Sequence, residues 1–427
     1  MKRKRRHNLS SWTIPLVYAG VAVVVGQTFP RLEHYFLPGL VSTMSPSAAM
    51  AVGGAVASGM ITLTGVVFSL VFVMIQFSAT AYSPRLVLWV ARDPVMSHAL
   101  GMFNATFLYA LTMIAWVDRT ASGRVPFLSS WLVVLLLLGS MALLIALITR
   151  VRMLQVGQML IFTGGQGRQA IAELYQPTTA LVLDREKADH PQLPITQTLR
   201  HFGRPQVIQA IHTATLVELA TASHAVVEVM SAVGDTLLEL TPLLRVRGGR
   251  QPLDESALKS AIEIGDERTF EQDPKYALRL VVDIAIKALS PAINDPTTAV
   301  QALDQVEDLL LRLGRCRMEI GAFRDPRGQV RLVVPFPTWE DFLRLALDEI
   351  RAYGADSVQV MRRMNALIQN LIAVLPPERH AALRHWERRL EGSIARSFPD
   401  ADEKRDASVA DRQGLGIGQE EPSNPKP

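Results

Sequence analysis

The sequence predicts an α-helical membrane domain of four transmembrane helices, followed by a cytoplasmic α+β domain. Three observations predict it. Four apolar stretches free of acidic and basic side chains are each long enough to cross a hydrocarbon core of ~30 Å. The charge is partitioned: residues 1–152 carry twelve of the 44 Lys/Arg but only three of the 40 Asp/Glu, namely Glu33, Asp93 and Asp118. Beyond that point, short apolar runs, Asp-Pro pairs and helical stripes replace the long apolar stretches. The whole-chain averages, 49% hydrophobic and 20% charged over 427 residues, hide this division. They exclude neither class, but the partition excludes a fully soluble protein. A disulfide framework is excluded as well, because Cys316 is the sole cysteine. The basic pI of about 9.3 is no sign of nucleic-acid binding, since the excess positive charge flanks hydrophobic spans.

The spans run from about Trp12 to Phe29, Ala48 to Thr80, Ala99 to Val117 and Trp131 to Ile148. The second is too long for one perpendicular crossing, and tilting or projection beyond the bilayer accommodates the excess. Lys and Arg are retained on the cytoplasmic side. Five of them, Lys2 to Arg6, precede the first span; Arg85 and Arg92 follow the second, and Arg150 and Arg152 close the fourth. The loop after the first span has Arg31 balanced by Glu33, and the loop after the third has Arg119 and Arg124 against Asp118. Both ends are expected in the cytoplasm.

Residues 153–205 read as a juxtamembrane helix and linker. The helix runs from Leu154 to about Tyr175, with a bend expected at Gly164-Gly165-Gln166-Gly167. That cluster is no phosphate loop, since no strand precedes it and no Lys-Ser/Thr pair follows. Val207–Ile211 and Ala225–Val229 are expected strands. Residues 225–248, folding around a turn at Gly234-Asp235, resemble the half-barrel repeat of biotinyl and lipoyl carrier domains. The resemblance implies a small lipoyl-like β subdomain over 206–250; the turn lacks a modifiable lysine, so acyl or carboxyl carriage is not implied. Residues 251–398 read as mainly helical. Asp273-Pro274 and Asn294-Asp295-Pro296 mark helix starts, with Asp as N-cap and Pro at the first helical position. A strand pair is expected around Arg324–Gly328, and Thr338 with Asp341 opens a further helix that Gly354 stops. Residues 399–427, polar and without apolar period, are expected to be disordered.

No catalytic constellation emerges: the sequence has no H-E-x-x-H, C-x-x-C, G-x-S-x-G or Walker motif. The chain is therefore expected to be no enzyme and to need neither cofactor nor metal. Two features carry chemistry. Along the second span Ser58, Thr62, Gly65, Ser69, Gln76 and Thr80 follow one helix face. Such a stripe lines a pore, where hydroxyls and an amide replace part of an ion's hydration shell, or it lets helices pack closely. The second feature joins the acidic run Glu263–Asp273 to the segment Ala288–Ala299. Two neighbouring helix N-termini could hold an anion; the carboxylates could hold a divalent cation; or the acids simply cap helices.

These segments, with Phe77-Ser78 and Ser83-Pro84-Arg85, resemble a bacterial family of predicted membrane proteins, domain of unknown function 2254. The family's motifs fall here on Ser83, Pro84 and Arg85; on Arg268, Thr269, Gln272, Asp273 and Pro274; and on Ser290, Pro291, Asn294, Asp295, Pro296 and Thr298. The resemblance implies an architecture and no chemistry. The expected function is ion or small-solute permeation across the bacterial inner membrane by a homo-oligomer, gated by the cytoplasmic domain. Its partners would be the lipid bilayer, other copies of the chain and a small anion or cation, with no nucleic acid. The rival reading is a membrane-anchored sensor or scaffold whose cytoplasmic domain binds a ligand or partner.

Overall fold

The structure, a computed structural model, describes the chain outside residues 1–12, 38, 41, 82–93, 120–124, 152–154, 176–192, 319–320 and 417–427. The chain divides into two compact units, Met1–Gln158 and Met159–Pro427. The first contains α1 (Thr13–Phe36), α2 (Pro46–Ala81), α3 (Pro94–Arg119) and α4 (Phe127–Val151). All four are long and apolar enough to cross a membrane. α3 is the hub, packed against each of the others. Its Ala99, Ala105 and Ala110 admit close neighbours, while Phe103, Tyr109 and Met113 fill the space between them. Close approach of this kind is what holds helices together where water provides no drive. A Cβ added at Gly26 of α1 would fall 1.9 Å from Thr112 Oγ1, and one at Gly53 of α2 would fall 2.9 Å from Ile114. Leu135, Leu138 and Ile145 of α4 are exposed, as suits a bundle solvated by lipid.

The first helix is longer than expected. Pro30 lacks an N–H and suggests a stop near Phe29, yet α1 continues through it to Phe36. The extension carries Glu33 to the start of α4. There Glu33 Oε1 accepts from the Leu128 N–H at 2.7 Å, and Oε2 accepts from the Ser129 N–H at 2.9 Å and the Ser129 hydroxyl at 2.7 Å. Glu33 is buried. It caps α4 rather than balancing Arg31 in a loop.

The second unit carries two sheets. One has the order β1 (Ile195–Arg200), β5 (Pro242–Gly248), β3 (Ala225–Val229), β8 (Val330–Val333), β7 (Ala322–Arg324). Its pairs are antiparallel except β3 with β8, which run parallel and set Val227 opposite Leu332. The other sheet is antiparallel, β4 (Thr236–Leu237), β2 (Gln206–Ile211), β6 (Ile262–Gly265). The strands of 206–250 therefore do not close on one another as a lipoyl-like subdomain. The turn at Gly234-Asp235 sends β4 to β2, while β3 and β5 recruit partners from both sides of the interval. The expected linker also contributes β1, in which only Leu199 is buried.

Helices α6 (Thr213–Ala222) and α7 (Glu255–Ser260) accompany the sheets; α8 (Pro274–Ala288), α9 (Pro296–Gly314), α10 (Trp339–Tyr353), α11 (Val358–Val374) and α12 (His380–Ser397) form the helical part. Of the stripes that helical spacing predicts, Leu278, Val281 and Ala285 on α8 and Val300, Leu303, Val306, Leu310 and Leu313 on α9 are buried, while Leu289 at the end of α8 is half-buried. Thr338 and Asp341 cap α10 reciprocally, and Gly354 ends it, as their spacing predicts. The glycine cluster does not bend its helix. α5 (Val156–Leu174) is unbroken, and a Cβ at Gly167 would lie 2.9 Å from Leu309 and 3.0 Å from Ala277. The glycine is needed there for close helix contact.

The tail also departs from expectation, for Ala401–Ser408 forms α13. Asp400 caps it by accepting from the Asp402 and Glu403 amides. Behind it Asp411 Oδ1 accepts from the Gln413 N–H at 2.8 Å and Oδ2 from the Gly416 N–H at 2.7 Å. Burial opposes ionisation of Asp411, but the amides of Gln413, Gly416, Gly414 and Leu415 outweigh it and hold the carboxyl below the usual range. A carboxyl lowered on folding stabilises above its unfolded value of ~3.9 and loses that contribution as pH falls through the lower folded value. Residues 411–416 are thus expected to stay protected at pH 5 and to open in strong acid. Amide exchange corrected for its intrinsic pH dependence checks this; equal protection at both ends of the range would contradict it.

Candidate functional site

Asp273 opens α8, with Pro274 at the first helical position, where a missing N–H costs nothing. The Tyr276 N–H donates to Asp273 Oδ1 at 3.1 Å. Arg268 Nε donates to Oδ2 at 2.9 Å, and Nη2 donates to Oδ2 at 2.7 Å and Oδ1 at 3.0 Å. The guanidinium also lies over the Tyr276 ring, 5.1 Å from its centroid. Burial pushes the Asp273 carboxyl above the usual carboxylate range, and Arg268, Lys275 and the Tyr276 amide pull the other way.

The turn Gly234-Asp235 rests on this pair. Gly234 has φ +89°, and a Cβ there would meet Asp273 Oδ2 at 2.4 Å. Lys275 Nζ lies 3.8 Å from Asp235. Gln272 holds a left-handed φ of +53°, and its Oε1 accepts from the Ile211 N–H at 3.0 Å, tying the end of β2 to the motif. The Thr269 hydroxyl is buried and has no hydrogen-bond partner among the described residues. Sequence spacing treats the glycine turn and the Arg268–Pro274 motif as separate features; folding makes them one site.

Beside the site lies a cavity of about 770 Å³. Gln272, Asp273 and Lys275 form part of its wall, with Tyr175, Phe323 and Phe336 among the others. The Tyr175 ring meets Phe336 edge-on at 6.4 Å, and its hydroxyl has no hydrogen-bond partner among the described residues. Burial pushes this phenol well above its ordinary value, and Cys316 and Asp273 add to the shift. It is therefore a protonated donor at neutral pH. No sequence signal singles out Tyr175, one aromatic at the end of an amphipathic helix.

The second motif lies elsewhere. Asp295 caps α9: its Oδ1 accepts from the Thr298 N–H at 3.0 Å and its Oδ2 from the Thr298 hydroxyl at 2.6 Å. Ser290 and Asn294 shape the preceding turn, where the Asn294 N–H donates to Ser290 O and the Asp295 N–H to Ala288 O. Asn294 has φ +48°. This turn joins the end of α8 to the start of α9, so the two helices are antiparallel neighbours. Their N-termini stand about 22 Å apart, one length of α8 at 1.5 Å per residue. The expected pair of adjacent N-termini does not form. The carboxylates do not gather round a cation either: Glu263 meets His212, Asp266 meets Arg204 and Asp273 meets Arg268. Among the described residues no group of three His, Cys, Asp or Glu is placed to hold a metal.

On α2, Ser58, Thr62, Ser69 and Gln76 are exposed in the single chain. Thr62 Oγ1 donates to Ser58 O at 2.8 Å. The opposite face, with Ala57, Met60 and Val67, is buried. Arg85 and the side chain of Thr80 lie outside the described residues. The described part of the polar stripe is thus not covered by the chain's other helices, and Thr62 bonds back to its own backbone. Glu33, which sequence reasoning reads only as the countercharge of Arg31, is a buried carboxylate of the first unit; its signal is an acidic residue beside an apolar span.

The chain is similar to uncharacterized mycobacterial proteins. An uncharacterized protein of Mycobacterium bovis is 26% identical over 411 residues, covering 92% of this chain and 78% of its own length. An uncharacterized protein of Mycobacterium tuberculosis matches with the same identity and coverage. No solved structure matches. The family described as predicted membrane protein (DUF2254) matches residues 8–370, a span that takes in the four apolar helices, both sheets and both Asp-Pro motifs, and the chain belongs to that family.

Proposed function

We propose that several copies of this protein assemble in the bacterial inner membrane, with both termini cytoplasmic, and pass ions or small solutes along a path lined by α2. The cytoplasmic unit would gate that path. The observation that supports the reading is the uncovered polar face of α2. Hydroxyls and an amide are costly to leave against lipid tails and normally face other helices or water. The chain's own helices take the opposite face, so neighbouring copies around a wet axis are the natural environment for Ser58, Thr62, Ser69 and Gln76. The distribution of Lys and Arg supports the orientation.

The test is thiol accessibility in proteoliposomes, after replacing the buried Cys316 by alanine. Cysteines at positions 62, 69 and 76 are expected to react with a small charged methanethiosulfonate reagent; cysteines at Leu70 and Val67 are expected not to. Gln76→Leu is expected to slow swelling of the vesicles in potassium chloride or glycerol while leaving the oligomer intact. Protected cysteines along the stripe, with loss of assembly instead of flux, would overturn the conduit. The cavity beside Asp273 favours the second reading, a membrane-anchored sensor whose cytoplasmic unit binds a ligand.

A further inference from the structure

We propose that Phe72 and Val73 form a hydrophobic gate across the path that α2 lines. The inference rests on the conduit reading and names the point at which that conduit closes.

Spacing along α2 picks out the position. Ser58, Thr62, Gly65 and Ser69 follow one another at intervals of four, three and four residues, and Gln76 then stands seven further on. One helical turn of the polar face is therefore skipped. Positions 72 and 73 fill it, three and four residues beyond Ser69, which is the spacing of side chains that neighbour one another on a helix face. They stand in the same relation to Gln76. Both are uncovered in the single chain: Phe72 is 55% exposed and Val73 47%. Ala57, Met60 and Val67 on the opposite face are buried, so α2 presents Phe72 and Val73 to the same surroundings as Ser69 and Gln76.

Size and polarity change together at this turn. On the N-terminal side of it, Gly65 has nothing within 4 Å of an added Cβ, and the hydroxyls of Ser58, Thr62 and Ser69 keep the face wettable. Ile61 borders the same face, but Thr62 shares its turn. At 72 and 73 an aromatic ring and a branched side chain stand with no polar residue beside them on the face. α2 carries no Lys, Arg, Asp, Glu or His, so no fixed charge on the lining helix holds water at this level. A ring of such side chains from several copies narrows the path and expels water, and a dry constriction is a gate. From Ser69 to Gln76 the axis advances about 10 Å at 1.5 Å per residue, further than any one hydrogen bond can bridge. The place suits regulation as well. Val73 stands eight residues before the end of α2 at Ala81, about 12 Å along the axis. With both termini cytoplasmic this is the inner end of the path, the end from which a cytoplasmic unit acts.

Flux and sided labelling of the full chain, in a Cys316→Ala background, provide the test. Val73→Thr exchanges a methyl group for a hydroxyl at nearly constant volume, so it wets the turn without widening it. In proteoliposomes it is expected to speed swelling in both potassium chloride and glycerol by about tenfold, the gain from a barrier lowered by ~1.4 kcal/mol. Phe72→Ala, which widens the turn, is expected to act in the same direction. Leu70→Thr, off the stripe, is expected to leave the rate unchanged. Labelling uses spheroplasts, which expose the extracytoplasmic face, and inverted membrane vesicles, which expose the cytoplasmic one. A cysteine at position 69 is expected to react with a membrane-impermeant methanethiosulfonate about tenfold faster from the extracytoplasmic face, and one at position 76 about tenfold faster from the cytoplasmic face. Adding Val73→Thr is expected to remove both differences. Unchanged swelling in both Val73→Thr and Phe72→Ala, an equal gain from Leu70→Thr, or a cysteine at 76 that reacts equally from both faces without Val73→Thr would each overturn the gate and leave the conduit in place. No swelling in any variant, with positions 62, 69 and 76 protected throughout, would overturn the conduit and the gate with it.

Discussion

Replacing Arg268 by alanine is expected to destabilise the C-terminal unit by about 3–5 kcal/mol, because it strands a buried carboxylate without its countercharge. Only 1% of the Asp273 side chain is exposed. The carboxylate would keep the Tyr276 N–H and the more distant charge of Lys275, but would lose all three bonds from the guanidinium. Gly234 closes over the pair, so water has little room to take the place of the arginine. Asp273→Asn should cost less, about 1–2 kcal/mol: the amide oxygen still caps α8, and Arg268 is partly solvated. Arg268→Lys should fall between them, since an ammonium cannot reproduce the two-pronged contact. The pair acts as a unit, so Arg268→Ala combined with Asp273→Ala should cost less than the sum of the two. Thermal unfolding of the full chain in nanodiscs reads the series as a fall in Tm on the order of 10 °C for Arg268→Ala. A shift equivalent to less than about 1 kcal/mol would mean that Asp273 is not held as a buried ion.

This site also marks where sequence reading stops. The Asp-Pro caps at 273 and 295 were legible because a cap is local: an acid, a proline and an apolar stripe lie within a few residues. The four apolar helices were legible because their length alone distinguishes them. Strand pairing was not, since β3 takes β5 from the same interval but β8 from about a hundred residues further on. Nothing in either strand names the other, and the local turn at Gly234 suggested a self-contained repeat instead. The glycines at 164 and 167 illustrate the same limit. A missing side chain signals flexibility in isolation, and only the neighbours Gln305 and Leu309 show that it signals contact. The tail misled for another reason. α13 lacks an apolar period because polar bonds hold it, among them Arg362 Nε donating to Asp406 O and Asn365 Nδ2 donating to Ser408 O. Within the candidate site, the motif residues were visible and the Tyr175 hydroxyl was not, because its importance lies in the partner it lacks.

Glu33→Ala is the corresponding expectation for the first unit, a loss of about 2–4 kcal/mol. All three groups that meet the Glu33 side chain are donors: the Leu128 and Ser129 amides and the Ser129 hydroxyl. An acceptor-only carboxylate satisfies them together, and its negative charge sits at the positive end of α4. Alanine would leave the first turn of α4 with unmet donors in a buried setting. Ser129 is fully buried, and no other acceptor side chain bonds to these amides among the described residues. Glu33→Gln keeps one acceptor oxygen and should lose roughly half as much. Glu33→Asp is one methylene shorter and should behave closer to alanine than to glutamine. The local signature separates a cap from a general packing effect: in Glu33→Ala the amides of Leu128 and Ser129 should exchange faster, while those in the middle of α4, around Ser140, should change little. Uniform acceleration along α4, or glutamine as damaging as alanine, would show that Glu33 acts by filling space and that α4 is capped by something else.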